Sequence, residues 1–273
     1  MRVLLIGILM LSASLAGCFT NDAPPPPPPK PTLPDGVFIT GPDGESLSLD
    51  LYQPLNLNFV FSNVGEEGAE PSIGVTSSGC IFFIAFEKVM RSCDHAESWE
   101  NVAGPMCAFQ TNDPWGWVDP ITDRVFNVQM QGLETSWICY SDDDGATWVG
   151  NPHDSGTTPI NDHIKLATGP WTSSGYGIGG QFTQAYYETA VYYCYNKLAG
   201  IFCFTSFDGG ATFNTGGLIF GLATTNGGLH GAITSAPDGT VYVTPRVATP
   251  TVIVSDDNGD RKSTRLNSSH SEI

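Results

Sequence analysis

The octapeptide Ser206–Phe213, SFDGGATF, has a near twin at Ser141–Trp148, SDDDGATW. A degraded copy runs Ser92–Trp99, SCDHAESW, and an interrupted one opens at Ser255 as SDDNGD. The shared pattern is Ser, any residue, Asp, any residue, Gly or Ala, any residue, Thr or Ser, then an aromatic. Each type suits a tight hairpin: the carboxylate folds back onto turn amides, glycine accepts positive φ, and the hydroxyls close the turn locally. The final aromatic leaves the turn for a core. A chance octamer would not recur beside strand-like text, so the copies mark a structural repeat.

The pattern resembles the Asp-box (BNR) repeat of the sialidase-like β-propellers, over roughly residues 55 to 260. The resemblance implies an all-β propeller with one such hairpin per blade, on the face opposite ligand binding. It implies structural roles for Asp94, Asp143, Gly145, Asp208, Gly210 and Asp257. It is specific for fold rather than activity, because propellers host unrelated functions.

Working outward, each hairpin closes a unit of three apolar strands separated by Gly/Asp turns. The units begin at Glu70, Asp113, Asp162 and near His230, and their hairpins start at 92, 141, 206 and 255, a period suited to four-stranded blades. No long amphipathic helical pattern interrupts them. Four blades are visible where sialidase-like propellers usually have six or more, and the fourth hairpin breaks at Arg261. The RKSTRLNSSHSEI that follows is basic and strandless, and residues 261–273 are read as a non-native tail on a truncated propeller spanning 51–260.

The N-terminus reads as a processing segment. Met1-Arg2 and an apolar run end at Leu15-Ala16-Gly17-Cys18, which resembles the lipobox of prokaryotic lipoproteins, with residues 1–17 as signal and Cys18 as the lipidated residue. An ordinary secretory signal is the alternative. Residues 18–50 form a tether, in which Pro24 to Pro29 make a polyproline II spacer of about 3.1 Å per residue. Six cysteines then remain in an oxidising compartment. Cys194 and Cys203 flank one turn symmetrically and Cys80 and Cys93 another, as directly bonded strand partners would; Cys107 and Cys139 are left to pair. Thiolate metal ligation is the alternative, without any CxxC spacing to support it.

A formal charge of −17 excludes nucleic acid as a partner, since phosphates require a basic surface. The unit starts Glu70, Asp113, Asp162 with His163, and His230 are expected to converge as an acidic ring at the mouth of the central channel. Asp113, Asp162 and Glu70 are the candidates for acid/base work, and His163, His230 and Arg246 for binding. Polar strand starts around a wet channel are the plainer account of the same residues. Trp171 and Tyr176, in the Gly-rich GPWTSSGYGIGG, are expected on an exposed loop beside a ligand, whereas Trp115 and Trp117 are expected in the core. No cofactor is required; the ring would suit a divalent cation such as Ca²⁺.

Sialidases clamp their substrate's carboxylate with three arginines. Between signal and tail this chain has only Arg91, Arg124 and Arg246, with Arg91 and Arg124 expected on the hairpin face. Tyr186, Tyr187 and Glu188, the nearest approach to a Tyr/Glu nucleophile pair, are expected on a surface loop. The leading expectation is therefore a monomeric, lipid-anchored, extracytoplasmic propeller that binds glycan or protein without catalysis. A sialidase-like glycoside hydrolase and an assembly scaffold are the alternatives.

Overall fold

The computed structural model describes residues 38–40, 46–48, 61–154, 161–172, 186–213, 215–221, 230–246, 252–259 and 265–267. The signal segment, Cys18, the proline run, Tyr176 and most of the tail lie outside them. The chain divides into two compact units, Met1–Val60 and Phe61–Ile273. In the first, β1 (Phe38–Thr40) pairs antiparallel with β2 (Ser46–Ser48). No helix among the described residues is long and apolar enough to cross a membrane.

The second unit is a four-bladed β-propeller arrangement. The first blade is β3 (Ser72–Val75), β4 (Ile81–Ala85), β5 (Lys88–Ser92) and β6 (Glu100–Asn101). The second is β7 (Trp115–Val118), β8 (Val125–Gln131), β9 (Thr135–Ser141) and β10 (Val149–Asp154). The third is β11 (Asp162–Gly169), β12 (Ala190–Lys197), β13 (Gly200–Ser206) and β14 (Thr215–Gly221). The fourth is β15 (His230–Ser235), β16 (Val241–Pro245), β17 (Val252–Ser255) and β18 (Arg265–Asn267). Every blade is an antiparallel meander in chain order, and the inner strands β3, β7, β11 and β15 lie side by side in succession.

Strand β12 shows why the text is so apolar. Its Val191, Tyr193 and Tyr195 face the second blade, packing with Phe126, Val128 and Ile138. Ala190, Tyr192 and Cys194 face the fourth blade, packing with Ile233, Val243 and Ile253. A strand between two neighbours has no solvent face, so period-2 alternation sorts side chains between two cores rather than between core and water. Each large apolar side chain so buried contributes about 1.5–3 kcal/mol. Near the axis the inner strands crowd: a Cβ at Gly74 of β3 would stand 2.5 Å from Val118 of β7.

The repeated octamers form one turn four times. In the third blade Ser206 Oγ donates to Asp208 Oδ1 at 2.7 Å and accepts from the Gly210 amide at 2.8 Å. Asp208 in turn accepts from the Thr212 amide at 2.8 Å and the Thr212 hydroxyl at 2.7 Å. The Ser141–Thr147 turn repeats this with Asp143, and so does Ser92–Ser98 with Asp94. In the fourth blade Ser255 bonds Asp257 and the Gly259 amide. The Ser98 hydroxyl and amide and the Ser92 hydroxyl hold Asp94 down to about 2. Thr147 and Ser141 lower Asp143 in the same way.

These turns also join blades. In the second, third and fourth blades the fourth-position carbonyl accepts a hydrogen bond from the preceding blade: Asp144 O from Arg91, Gly209 O from Arg124 at 2.6 Å, and Asn258 O from Thr205 at 2.8 Å. The fifth-position glycine presses on the preceding blade, so that a Cβ at Gly210 would lie 2.9 Å from Phe126 and one at Gly145 2.8 Å from Val102. The first blade's turn has Ala96 at this position with φ 67°, and its carbonyl accepts instead from Ser62.

Three disulfides, Cys80–Cys93, Cys107–Cys139 and Cys194–Cys203, follow the expected pairing. Cys194 and Cys203 are direct register partners with Cα atoms 4.1 Å apart. The three bridges fit an oxidising compartment. One expectation fails: the tail is not wholly strandless, since Arg265–Asn267 form β18 on the open edge of β17. Ladder hydrogen bonds come from the backbone, so an edge accepts a partner of almost any sequence.

Gly210→Ala should therefore destabilise the fold by roughly 1–3 kcal/mol, from the left-handed φ and overpacking together. Ala96→Gly, which relieves a left-handed φ of 67°, should stay within about 1 kcal/mol of neutral. Urea denaturation of the two variants checks this; equal losses would remove the blade-to-blade role of the turn.

Candidate functional site

At the end of the inner strands opposite these turns, residues from all four blades meet. Glu70 precedes β3, Asp113 precedes β7, Asp162 and His163 open β11, and His230 opens β15. The structure brings all five into one cluster and adds Lys165, Asn196 and Trp115, which sequence reasoning missed as site residues. The available signal for Lys165 was a single charge inside the apolar run HIKLAT.

Local irregularity aims these side chains. Strand β11 shifts register between Asp162 and Lys165, and β15 between His230 and Ile233. Such bulges redirect side chains and commonly border functional sites. Glu70 at φ 46° and His163 at φ 56° occupy the left-handed region. That conformation costs about 1–2 kcal/mol for a residue with a Cβ, and strain of this kind clusters at sites of function.

Asp113 and Asp162 share a hydrogen bond. Burial, that bond and the nearby Glu70 charge push Asp113 up to about 6, with His163 opposing. Like charges at short range disfavour ionising Asp113 beside these neighbours, which adds to the effect of burial. Lys165 is buried, its Nζ 4.3 Å above the Trp115 ring and 3.9 Å from Glu70 Oε2. Burial lowers its pKa while Glu70, Asp113 and Asp162 act to raise it. The Trp115 indole is fixed by its bond to Leu166 O at 2.8 Å.

His230 is 1% exposed. The Asn196 Oδ1 atom accepts from its backbone amide at 3.2 Å and from ring Nδ1 at 3.0 Å. The imidazole therefore carries its proton on Nδ1 and leaves a lone pair on Nε2. Burial first, then the His163 and Lys165 charges, hold it down to about 3, so it is neutral at physiological pH. Its ring lies 6.0 Å from that of His163. His230 Nε2, His163 Nδ1 and Asn196 Nδ2 are all buried without a partner; an unsatisfied buried polar atom costs about 1–3 kcal/mol.

Arg246 follows Pro245, the register partner of His230, and stands exposed at this end. Arg91 and Arg124 are engaged on the turn face. Arg91 bonds Glu100, and buried Arg124 forks onto both oxygens of Asp142 at 2.7 Å between the Tyr140 and Tyr187 rings. Trp171 is a correction. It follows the far end of β11, on the turn face, where it stacks on Phe207 at 5.2 Å and donates to Tyr187 O at 2.9 Å. A strand that begins at the mouth delivers its following loop to the opposite side, so Trp171 lies away from the cluster. Tyr186 is exposed there as expected, while Tyr187 packs on Arg124. Trp115 and Trp117 both pack against the core between the second and third blades.

Among the described residues no group of three His, Cys, Asp or Glu side chains is arranged to hold a metal ion. A cavity of about 30 Å³ between the third and fourth blades, walled by Tyr192, Cys194, Ile233 and Val243, is an apolar packing void rather than a site.

No family model and no curated protein matches the chain. Solved structures similar to it include a point mutant of NanB sialidase from Streptococcus pneumoniae, 14% identical over 69% of this chain and 27% of that one, with a TM-score of 0.38. YCF48 in a peptide complex is 12% identical over 82% and 57%, with a TM-score of 0.43. A GH43 β-1,3-galactosidase is 11% identical over 85% and 48%, with a TM-score of 0.43. The chain thus spans between 27% and 57% of the length of these three structures.

Asp113 should titrate near pH 6 by carboxyl ¹³C NMR, and Asp162→Asn should return it toward the ordinary carboxylate range. A carboxyl raised in the folded state stabilises most below its unfolded pKa, and that stabilisation is lost as pH rises through the folded value. The melting temperature of Asp162→Asn should therefore gain on the parent protein as pH rises from about 4 to about 7. An Asp113 that titrates normally in the parent would dissolve this description of the cluster.

Proposed function

We propose that this chain is an extracytoplasmic β-propeller, anchored through lipidated Cys18, whose mouth binds glycan or protein without cleaving it. The observation that supports the reading is the convergence of Glu70, Asp113, Asp162, His163 and His230 from all four blades, on strained and bulged backbone, with buried polar atoms left open. Three disulfides accord with a location outside the cytosol.

Two features weigh against hydrolysis. Glycosidases hold their two carboxyls about 5–5.5 Å or 6.5–9.5 Å apart, whereas Asp113 and Asp162 are within hydrogen-bond reach of each other. Of Arg91, Arg124 and Arg246, the first two are committed on the turn face and Arg246 alone stands at the mouth, whereas a carboxylate clamp needs more. The sialidase-like hydrolase reading keeps one specific support, an Asp113 loaded with a proton near pH 6 as a general acid requires.

On a glycan array and a panel of aryl glycosides, the protein should show saturable binding and no turnover, with binding at least about tenfold weaker in Asp162→Ala, as loss of one charged hydrogen bond implies. Turnover abolished by Asp113→Asn would transfer the site to the hydrolase reading. For the anchor, Cys18→Ala expressed from the full precursor should move the protein from the membrane fraction to the soluble one. Unchanged fractionation would remove the lipid.

A further inference from the structure

The mouth cluster is one-sided in its chemistry. Glu70, Asp113 and Asp162 supply three carboxyls against the single ammonium of Lys165, with Asp113 and Asp162 bonded to each other. His230 adds a further acceptor. Its Nδ1 proton is committed to Asn196, so the buried and unpartnered Nε2 offers only a lone pair. An imidazole so deeply buried and held neutral finds a natural complement in an N–H or O–H donor. The cluster already seats one ammonium, Lys165 Nζ, between an aromatic face and a carboxylate.

Resting on the binding reading above, we infer that the mouth selects a ligand bearing a primary ammonium group, as on a deacetylated amino sugar. The ammonium donates to the carboxylates and to His230 Nε2, and its charge answers their excess. An anionic ligand meets the opposite: apart from Lys165, the exposed Arg246 and the Asn196 amide, it faces the three carboxyls of Glu70, Asp113 and Asp162. Asn196 Nδ2, a buried donor without a partner, suits a ligand oxygen. A sugar supplies one and a simple polyamine does not, which favours the amino sugar as the source of the ammonium.

The groups that face Asp113 are Glu70, Asp162, His163 and Lys165. As pH falls below about 6, Asp113 gains its proton and the mouth loses one negative charge. Binding of an ammonium ligand should then weaken, although the ligand's own amine becomes more fully protonated. This opposing sign separates titration of the protein from titration of the ligand.

The experiment is calorimetric titration of the whole mature protein at pH 7.5 and pH 5 with three probes: a glucosamine tetramer, its N-acetylated counterpart and spermine. The glucosamine tetramer should bind at least about tenfold more tightly than the N-acetylated one and, once the affinity is expressed per protonated amine, more tightly at pH 7.5. Glu70→Gln should lose about tenfold of that affinity. Spermine binding above the tetramer would keep the ammonium and overturn the sugar. Equal binding of both tetramers would overturn the inference while leaving glycan binding intact. Failure of all three probes also overturns it, and the glycan array then decides independently whether the mouth binds sugar at all.

Discussion

The architecture depends on a close contact between each octamer turn and the blade before it. Two consecutive residues stand in the left-handed region: Asp144 and Gly145, Gly209 and Gly210, Asn258 and Gly259. That conformation turns the fourth carbonyl toward the preceding blade and brings the fifth α-carbon flat against it, with no room for a side chain. The Ser and Asp of the octamer hold the turn in this state through hydrogen bonds that satisfy its amides, so the aspartate acts at a distance from the contact it makes possible. Blade order and spacing follow, because each sheet is registered on its predecessor at both its inner strand and its outer turn.

Fixing the blades at the turn end also determines what the opposite end presents. Inner strands that pack closely near the axis, as Gly74 does on Val118, bring their first residues within reach of one another. Each of those residues would be solvated in an isolated strand. Drawn together they become a coupled group in which burial and neighbouring carboxyls push Asp113 up and burial holds His230 neutral at physiological pH. The site costs stability, through strained φ at Glu70 and His163 and three unmatched polar atoms. The interblade cores, filled by residues such as Tyr193, Phe126 and Phe82, supply the stability that offsets it.

Much of this was readable from the sequence because it rests on local rules. Four octamers located four outer hairpins, and the alternating apolar text located the strands. Symmetry about the turns at Phe86-Glu87 and Leu198-Ala199 located two disulfides. The cluster was readable only in outline. The expectation that unit starts converge used strand direction alone, and it brought Glu70, Asp113, Asp162, His163 and His230 to one place. Lys165 and Asn196 needed more. A lysine inside β11 reaches the mouth only because the strand bulges after Asp162, and Asn196 enters through β12, a second strand that no first-strand rule covers. Trp171 failed by the same logic that served the others: its position after β11 sends it to the turn face, whatever its Gly-rich surroundings suggest.

The two faces thus use the same residue types to opposite ends. On the turn face, Asp94 and Asp143 are surrounded by donors from their own hairpins, so their charge is stabilised and locally consumed. Arg124, sandwiched between Tyr140 and Tyr187 and forked onto Asp142, likewise has its donors committed within the protein. At the mouth, Asp113 has a like-charged neighbour where the turn aspartates have hydroxyls, and His230 has a lone pair turned away from its only partner. A carboxylate whose lone pairs are all answered inside the fold contributes to structure. One whose charge is opposed inside the fold is a group that an incoming cation can relieve, and that difference in local donors, rather than residue type, separates the scaffold aspartates from the candidate binding ones.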